Sequence, residues 1–240
     1  MKKLFFVPVI IVLLSCSFLS VSCRSAKRNA ATKQVLRGMI YDWDNTPVGS
    51  AELTLTNPEN SRFSKTVLSD MTGRFDFGEV YPGSYVLSGS VQGYEDISES
   101  FTFTDARQIL YIRTASGTQL LEKAYEALAE NKFDEAASFI RRASALDFSD
   151  RRALFYEALL NFEKGNIEES LRILFALEKK DASDAAVLLF IADIYLYEKN
   201  DSFTALRYLK KAALFSDSSA VSERIRMIEE KEKTEKGDIK

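Results

Sequence analysis

The sequence predicts two domains, a small antiparallel β-sandwich followed by an all-α helical-repeat solenoid of about three repeats plus a capping helix. Two patterns predict this. Apolar and polar residues alternate with a period of two across residues 34–113, and a 34-residue interval recurs from residue 117 onward. The composition agrees, because 46% of the 240 residues are hydrophobic and 28% are charged. These values exclude collagen-like, fully disordered and polytopic membrane proteins.

Charge and residue usage restrict the chemistry that this chain can perform. The net charge of −3 is too small, and of the wrong sign, for a general nucleic-acid binder. Histidine is absent from the sequence, which removes Ser-His-Asp and Cys-His nucleophile systems and every imidazole zinc site. No phosphate-binding loop or metal-ligand spacing occurs. We therefore expect a protein that is not an enzyme, has no cofactor or metal, and binds no nucleic acid.

The N-terminus has the features of an export signal. Lys2 and Lys3 precede the apolar run 4–14, and a short basic region followed by an apolar region is typical of a secretory signal. Small residues then precede Cys23, after which the chain becomes polar and basic. This pattern resembles bacterial lipoprotein signals, in which the cysteine receives lipid and becomes the mature N-terminus. The resemblance implies a signal peptide at 1–22, and a lipidated Cys23 with a flexible tether at 23–33.

Two alternatives remain for this segment. Cys16 has the better local match, since leucine usually stands three residues before the lipidated cysteine, but cleavage there leaves a very short signal. An uncleaved anchor over 4–21 would also be about long enough to span a bilayer. All of these interpretations predict a cell-envelope protein on a membrane, with its body outside the cytoplasm. Arg24 does not resemble the Asp-type retention signal of enteric bacteria, which favours the outer membrane.

Residues 34–113 have the pattern of short strands separated by turns. Gly, Pro, Asn and Asp mark turns at 44–47, 57–60, 70–73, 81–83 and 92–94. Strands at this spacing, each with one apolar face, are typical of an antiparallel sandwich.

Several motifs in this region also follow one another in the order seen in the carboxypeptidase-regulatory-like family, which the region resembles. They are Gly38 in the first strand, Pro47 before an apolar strand, Ser69-Asp70-x-x-Gly73-x-Phe75-x-Phe77, Pro82-Gly83-x-Tyr85 and Gly93-Tyr94. The resemblance implies a transthyretin-like, non-catalytic module that stiffens, spaces or docks.

The sandwich could also bind carbohydrate. Trp43, Tyr81 and Tyr94 lie in predicted turns, where aromatic faces can stack on sugar rings. The competing interpretation is that they cover strand ends, and we favour it. A carbohydrate- or peptidoglycan-binding envelope protein acting through the sandwich is therefore the second functional hypothesis.

From residue 117 a helical repeat replaces the alternation. Leu120, Leu154 and Leu188 are 34 residues apart, as are Ala124, Ala158 and Ala192. The pattern resembles the tetratricopeptide repeat, two antiparallel helices with small residues where they cross. It implies a domain at 117–235 with units at 117–150, 151–184 and 185–219, one inserted residue near 200–201, and a capping helix at 220–235. Asp150, Asp184 and Ser202 are the predicted N-caps.

In this repeat family the first helix of each unit lines a concave groove. Mapped onto this chain, the groove residues are Leu121, Tyr125, Leu128, Phe155, Leu159, Phe162, Leu189, Asp193, Leu196 and Tyr197, with Arg152 and Asp193 able to orient a ligand. Two interpretations have about equal weight: these residues pack between helices, or they bind an apolar helix or extended peptide. The leading hypothesis is a non-catalytic, membrane-anchored scaffold whose partner is another protein or peptide.

Overall fold

The structure is a computed structural model that describes residues 32–237. Seven strands precede seven helices. The strands are β1 Gln34–Tyr41, β2 Glu52–Asn57, β3 Asn60–Leu68, β4 Arg74–Val80, β5 Gly83–Ser90, β6 Ile97–Phe103 and β7 Ile109–Arg113. The helices are α1 Gly117–Ala129, α2 Phe133–Leu146, α3 Arg151–Glu163, α4 Ile167–Lys180, α5 Ala185–Asp193, α6 Ser202–Ala212 and α7 Ser219–Gly237. Within the described residues no helix is long and apolar enough to cross a membrane.

The strands form a sandwich of a three-stranded sheet, ordered β4-β1-β7, and a four-stranded sheet, ordered β3-β2-β5-β6. The neighbouring strands are antiparallel except for β1 and β7, which run parallel from the pair Arg37–Ile109 to the pair Tyr41–Arg113. The predicted sandwich is confirmed, with this parallel pair as a detail that the alternation did not reveal. Because its first and last strands are parallel, the chain enters the sandwich at one end and leaves at the other.

The inner faces of the two sheets form one apolar core, as the alternation predicted. Fully buried residues of β1, β2 and β5 meet Phe75 and Phe77, whose ring centroids are 5.7 Å apart. Gly38 is needed beside them, since a Cβ there would lie 2.7 Å from the Leu110 carbonyl oxygen and collide with Phe75. In the preceding turn, the Asp70 carboxylate accepts hydrogen bonds from the Thr72 and Arg74 amides at 2.8 and 2.9 Å.

The helices form three antiparallel pairs, α1–α2, α3–α4 and α5–α6, and the tetratricopeptide-like fold class is confirmed. Small residues without solvent exposure occupy the helix crossings: Ala124, Ala136, Ala158, Ser170, Ala192 and Ala205. The turn within each pair contains one residue with positive φ, namely Asn131, Gly165 or Asn200. The inserted residue of the third unit is accommodated by a π-helical turn at Ile194–Glu198, directly after α5.

Side chains cap the first helix of each pair, with Ser116 at α1, and they also cap α6. Asp150 accepts from the Arg152 amide and Asp184 from the Val187 amide, so these two predicted N-caps are confirmed. The third prediction was wrong by one residue. Asp201 caps α6 by accepting from the Thr204 amide, and Ser202 is the first helical residue. The aspartate is also the better acceptor at a helix N-terminus, because its negative charge interacts favourably with the helix dipole.

Helix α7 covers the C-terminal end of the repeat. Val221 is buried, and Ile225 and Ile228 pack with it against Ala192 and Leu209. These three residues form the apolar stripe by which this helix packs against the repeat. Lys210 of α6 and Glu229 of α7 add an ion pair at 2.6 Å. A terminal helix that buries its apolar side and exposes its charged side is what a solenoid requires at an open end.

The sandwich and the helical repeat are joined by a hydrogen-bonded junction. The Thr114 amide donates to the Tyr41 carbonyl at 3.0 Å, and the Glu95 amide donates to the Ala115 carbonyl at 2.9 Å. The Gly117 amide donates to the Gly93 carbonyl at 3.1 Å. Ala115 itself has no solvent exposure. The connecting residues 114–117 therefore have little freedom to act as a hinge.

Side chains reinforce this junction from both domains. Trp43 of the sandwich packs edge-on against Phe139 of α2, with ring centroids 6.2 Å apart. Arg142 of α2 donates two hydrogen bonds to the Glu95 carboxylate, at 2.7 and 2.6 Å, and lies over the Trp43 ring at 5.4 Å. Gln119 of α1 donates to the Asp44 carboxylate. The sandwich thus covers the N-terminal end of the repeat as α7 covers the other end.

Candidate functional site: an aromatic face on the helical repeat

Five aromatic side chains on the first helices of the three pairs form a continuous row. Their consecutive contacts, given as distances between ring centroids, are Tyr125–Tyr156 at 6.4 Å, Tyr156–Phe155 at 6.4 Å, Phe155–Phe190 at 5.7 Å and Phe190–Phe162 at 5.3 Å. Three of these contacts are edge-to-face, with interplanar angles of 72°, 87° and 77°, and the Phe155–Phe190 contact is tilted at 58°. We call these five residues the aromatic face.

The aromatic face is partly open to solvent. The Tyr125 side chain at its α1 end is 58% exposed, whereas the other four residues are half-buried. Phe155, Phe162 and Phe190 use their covered sides to pack against the apolar cluster between α3, α4 and α5. The rings therefore have two roles at once: they help to hold neighbouring helices together, and they leave apolar surface accessible along the repeat.

Two predicted groove residues do not line an open surface. Leu121 is 3% exposed and packs with Leu120, Ala143 and Ala153, and Leu128 is 6% exposed and packs in the α1–α2 cluster. Their prediction as groove residues is corrected on this ground. Both point towards the second helix of their own unit and the start of the next. Leu159, equivalent to Tyr125 in the second unit, is half-buried beside the same α1–α2 cluster.

The third unit contributes less open surface than expected, because α7 covers part of it. Leu189 packs against α7 in the cluster that contains Val221. The Asp193 carboxylate accepts a hydrogen bond from Arg224 of α7, so it is not free to orient a ligand. Leu196 is half-buried. Tyr197, in the π-helical turn, is 65% exposed.

Arg152 is likewise engaged within the chain. It donates to both oxygens of the Asp150 carboxylate, at 3.2 and 2.8 Å, and to the Thr118 hydroxyl at 3.1 Å. The hydrogen bond from Arg152 lowers the pKa of Asp150, and the same contact raises the pKa of Arg152. Arg152 therefore stabilises the start of α3 and links it to α1.

Two members of the aromatic face, Tyr156 and Phe190, were not among the predicted groove residues. Each follows a predicted groove residue, Phe155 or Leu189, by one position, and the equivalent residue of the first unit is Glu122. The 34-residue register could have indicated them, since two of the three residues at this equivalent position are aromatic. Burial raises the pKa of Tyr156, and the nearby Tyr125 and Glu122 raise it further.

The aromatic residues of the sandwich do not form a common sugar-stacking surface. Trp43 is engaged with Phe139 and Arg142 at the junction, and Tyr94 pairs with Ser116 through a backbone bridge there. Tyr81 is 53% exposed and carries the Lys33 ammonium 5.4 Å from its ring centroid. Trp43 and Tyr94 thus serve the contact between the domains, and of the three residues that motivated the carbohydrate hypothesis only Tyr81 remains exposed.

The remaining predicted sites concern metals and lipid. Over residues 32–237, no group of three or more Cys, Asp or Glu side chains is arranged to hold a metal ion. The predicted lipidation sites, Cys23 and the alternative Cys16, lie outside the described residues, as does the predicted signal peptide. Lipidation therefore stays a prediction.

Comparison with known proteins agrees with the sandwich. Residues 35–111 match the carboxypeptidase regulatory-like domain. This confirms the resemblance that the turn and strand motifs indicated for this part of the chain. No curated protein matches the chain in sequence.

Solved structures resemble one domain or the other. The type III secretion chaperone SycD of Yersinia enterocolitica is 18% identical, with a TM-score of 0.41, over 48% of this chain and 85% of that protein. A streptococcal ancillary pilin is 20% identical, with a TM-score of 0.31, over 36% of this chain and 30% of the pilin. The Bacillus anthracis TIE protein is 14% identical, with a TM-score of 0.31, over 35% of this chain. The matched part spans 17% of the TIE protein, so this chain corresponds to under a third of the length of either of these two proteins.

Proposed function

We propose that this protein is a non-catalytic scaffold of the bacterial cell envelope that binds another polypeptide on its aromatic face. It is anchored to a membrane as a lipoprotein, through Cys23 or alternatively Cys16, with its body outside the cytoplasm and the outer membrane as the favoured location. The observation that carries the binding proposal is the row of five rings across α1, α3 and α5, which ends in the exposed Tyr125.

The chemistry of the aromatic face suits protein recognition. Tyrosine and phenylalanine supply large contact areas with few rotatable bonds, so ordering them on binding costs little entropy. Four of the five rings are already held by their neighbours, which lowers that cost further. Helical-repeat proteins use such extended surfaces to bind polypeptide partners.

The topology of the sandwich supports a spacer role for this domain. β1 is eight residues long, or about 26 Å at 3.3 Å per residue, and it runs from the N-terminal side of the domain to the junction. β7 runs alongside in the same direction, so the helical repeat begins at the far end of the sandwich. An anchor preceding Gln34 would therefore join the sandwich at the end opposite the helical repeat.

Crosslinking in intact cells tests the binding proposal. A photoreactive phenylalanine analogue replaces Tyr125 on the aromatic face or, as a matched control, Tyr111 on the sandwich, which is 68% exposed. We expect a discrete crosslinked polypeptide from position 125 and none from position 111. Crosslinks from position 111 alone would move the binding function to the sandwich, and crosslinks from neither position would contradict a polypeptide-binding scaffold.

Substitution of the two cysteines tests the anchor. We expect Cys23→Ser to abolish incorporation of labelled fatty acid and to release the protein from the membrane fraction, while Cys16→Ser leaves both unchanged. The reverse pattern would assign the anchor to Cys16. Unchanged labelling and fractionation in the double variant would leave an uncleaved apolar anchor as the remaining explanation.

A further inference from the structure

We propose that the segment bound by the aromatic face is basic as well as apolar, with Lys or Arg side chains placed between large apolar ones. This inference rests on the proposed function, because it names the chemistry of the partner at the same surface. It follows from the charges around the five rings, where three cations are paired within the chain and two carboxylates are not.

Three cations near the aromatic face already have partners within the chain. Arg152 is held by Asp150 and Thr118, as described above. Arg224 of α7 donates to Asp193. Lys123 on α1 pairs with Glu126 at 2.6 Å. An acidic partner would have to displace an existing ion pair in order to bind any of these three cations.

Two carboxylates beside the rings have no such partner. Glu122 and Glu163 are both exposed, and over the described part of the chain neither makes a hydrogen bond or an ion pair. Glu122 lies close enough to Tyr156 for its charge to raise the pKa of that phenol. Glu163 directly follows Phe162, the residue at the opposite end of the row. Glu122 thus places an unpaired carboxylate on α1 close to the rings, and Glu163 places another at the end of α3, where the exposed Lys164 follows it.

The exposed tyrosines add to the preference for a cation. Tyr125 and Tyr197 are 58% and 65% exposed, so their ring faces are available to an incoming Lys or Arg side chain. A cation over an aromatic face is attracted by the ring quadrupole, while a carboxylate is repelled by it. A basic and apolar segment can therefore satisfy the rings, the two carboxylates and the tyrosine faces together.

Synthetic peptides test this inference directly. The probes are fluorescein-labelled amphipathic peptides of about 15 residues that share one apolar pattern and carry Lys, Gln or Glu at every other position. Binding to the purified full-length protein is followed by fluorescence anisotropy. We expect the Lys peptide to bind at least about tenfold more tightly than the Glu peptide, with the Gln peptide between them. Raising the salt from about 50 to about 300 mM should shrink that difference, because the charges are at the surface.

Matched variants assign the effect to the two carboxylates. The double variant Glu122→Gln/Glu163→Gln should lose at least about threefold in affinity for the Lys peptide and nothing for the Gln peptide. The control Glu135→Gln changes an exposed glutamate of α2 and should leave all three affinities unchanged. Equal affinity for the Lys and Glu peptides, with loss of both on Tyr125→Ala, would overturn the inference and leave the proposed function in place. Absence of binding by every peptide would overturn it as well.

Discussion

Arg142 is the side chain whose removal should most clearly weaken the junction between the two domains. It joins α2 to the sandwich by two hydrogen bonds to Glu95, and its guanidinium lies 5.4 and 5.3 Å from the ring centroids of Trp43 and Phe139. Arg142→Ala removes all of these contacts. It also leaves the Glu95 carboxylate half-buried without its cation.

The size of the effect follows from the exposure of the pair. The Arg142 and Glu95 side chains are 38% and 26% exposed, so the pair lies between a surface salt bridge, at up to about 1 kcal/mol, and a buried one, whose disruption costs about 3–5 kcal/mol. After allowance for solvent screening, about 1.5 kcal/mol is reasonable for the pair. The two partly exposed ring contacts add about 0.5 kcal/mol in total. We expect Arg142→Ala to lower the free energy of unfolding by about 2 kcal/mol.

Trp43 is the only tryptophan in the sequence, so its fluorescence reports on the junction during urea unfolding. For a slope of about 2 kcal/mol per M, the expected loss lowers the midpoint by about 1 M. A double-mutant cycle with Glu95→Ala should give a coupling energy of about 1 kcal/mol. The matched control is Arg141→Ala, at an exposed neighbour on α2, which should stay within about 0.5 kcal/mol of the parent. A coupling below about 0.3 kcal/mol would refute the assignment of this pair as a lock between the domains.

Two further predictions concern single carboxylates. Asp201→Ala should lower the free energy of unfolding in urea by about 1 kcal/mol, because the Thr204 amide loses its acceptor. The control Ser202→Ala should lower it by under about 0.5 kcal/mol. Equal losses in the two variants would refute the assignment of Asp201 as the cap. Hydrogen bonds from the Arg107 side chain and amide lower the pKa of Asp105 to about 2 from the ordinary value of 3.8. Because the folded pKa is the lower one, Asp105 stabilises the fold above about pH 4, and this contribution is lost as the pH falls towards 2. A carboxyl NMR titration should show this pKa, and Arg107→Ala should raise it; an unchanged value in that variant would contradict the stated cause.

The sequence was sufficient to predict both folds, since each depends on a short period that a single chain displays openly. Alternation specifies which face of a strand is buried, and the 34-residue register places Ala124, Ala158 and Ala192 at equivalent helix crossings. The register also revealed the inserted residue of the third unit. It did not reveal that this residue is accommodated by a π-helical turn, because the choice depends on how α5 packs.

The candidate site was predicted less completely, because exposure depends on contacts between distant parts of the chain. Leu121 and Tyr125 belong to the same helix, yet one is buried and the other open. The ion pair between Asp193 and Arg224 depends on where α7 packs. The contacts at the junction between the two domains could not be predicted from the sequence for the same reason. Trp43 lies in a turn by its local sequence, and only the folded chain brings α2 against it.

The parallel pairing of β1 and β7 has a mechanical consequence. A pull applied between Gln34 and the helical repeat draws β1 towards its N-terminus and β7 towards its C-terminus. The ladder from Arg37–Ile109 to Tyr41–Arg113 lies across that load, so its hydrogen bonds are strained in shear and must yield together. In an antiparallel pair at the same place, the hydrogen bonds would break one after another. The parallel pairing therefore lets the sandwich transmit tension along its length, because the β1–β7 hydrogen bonds share the load.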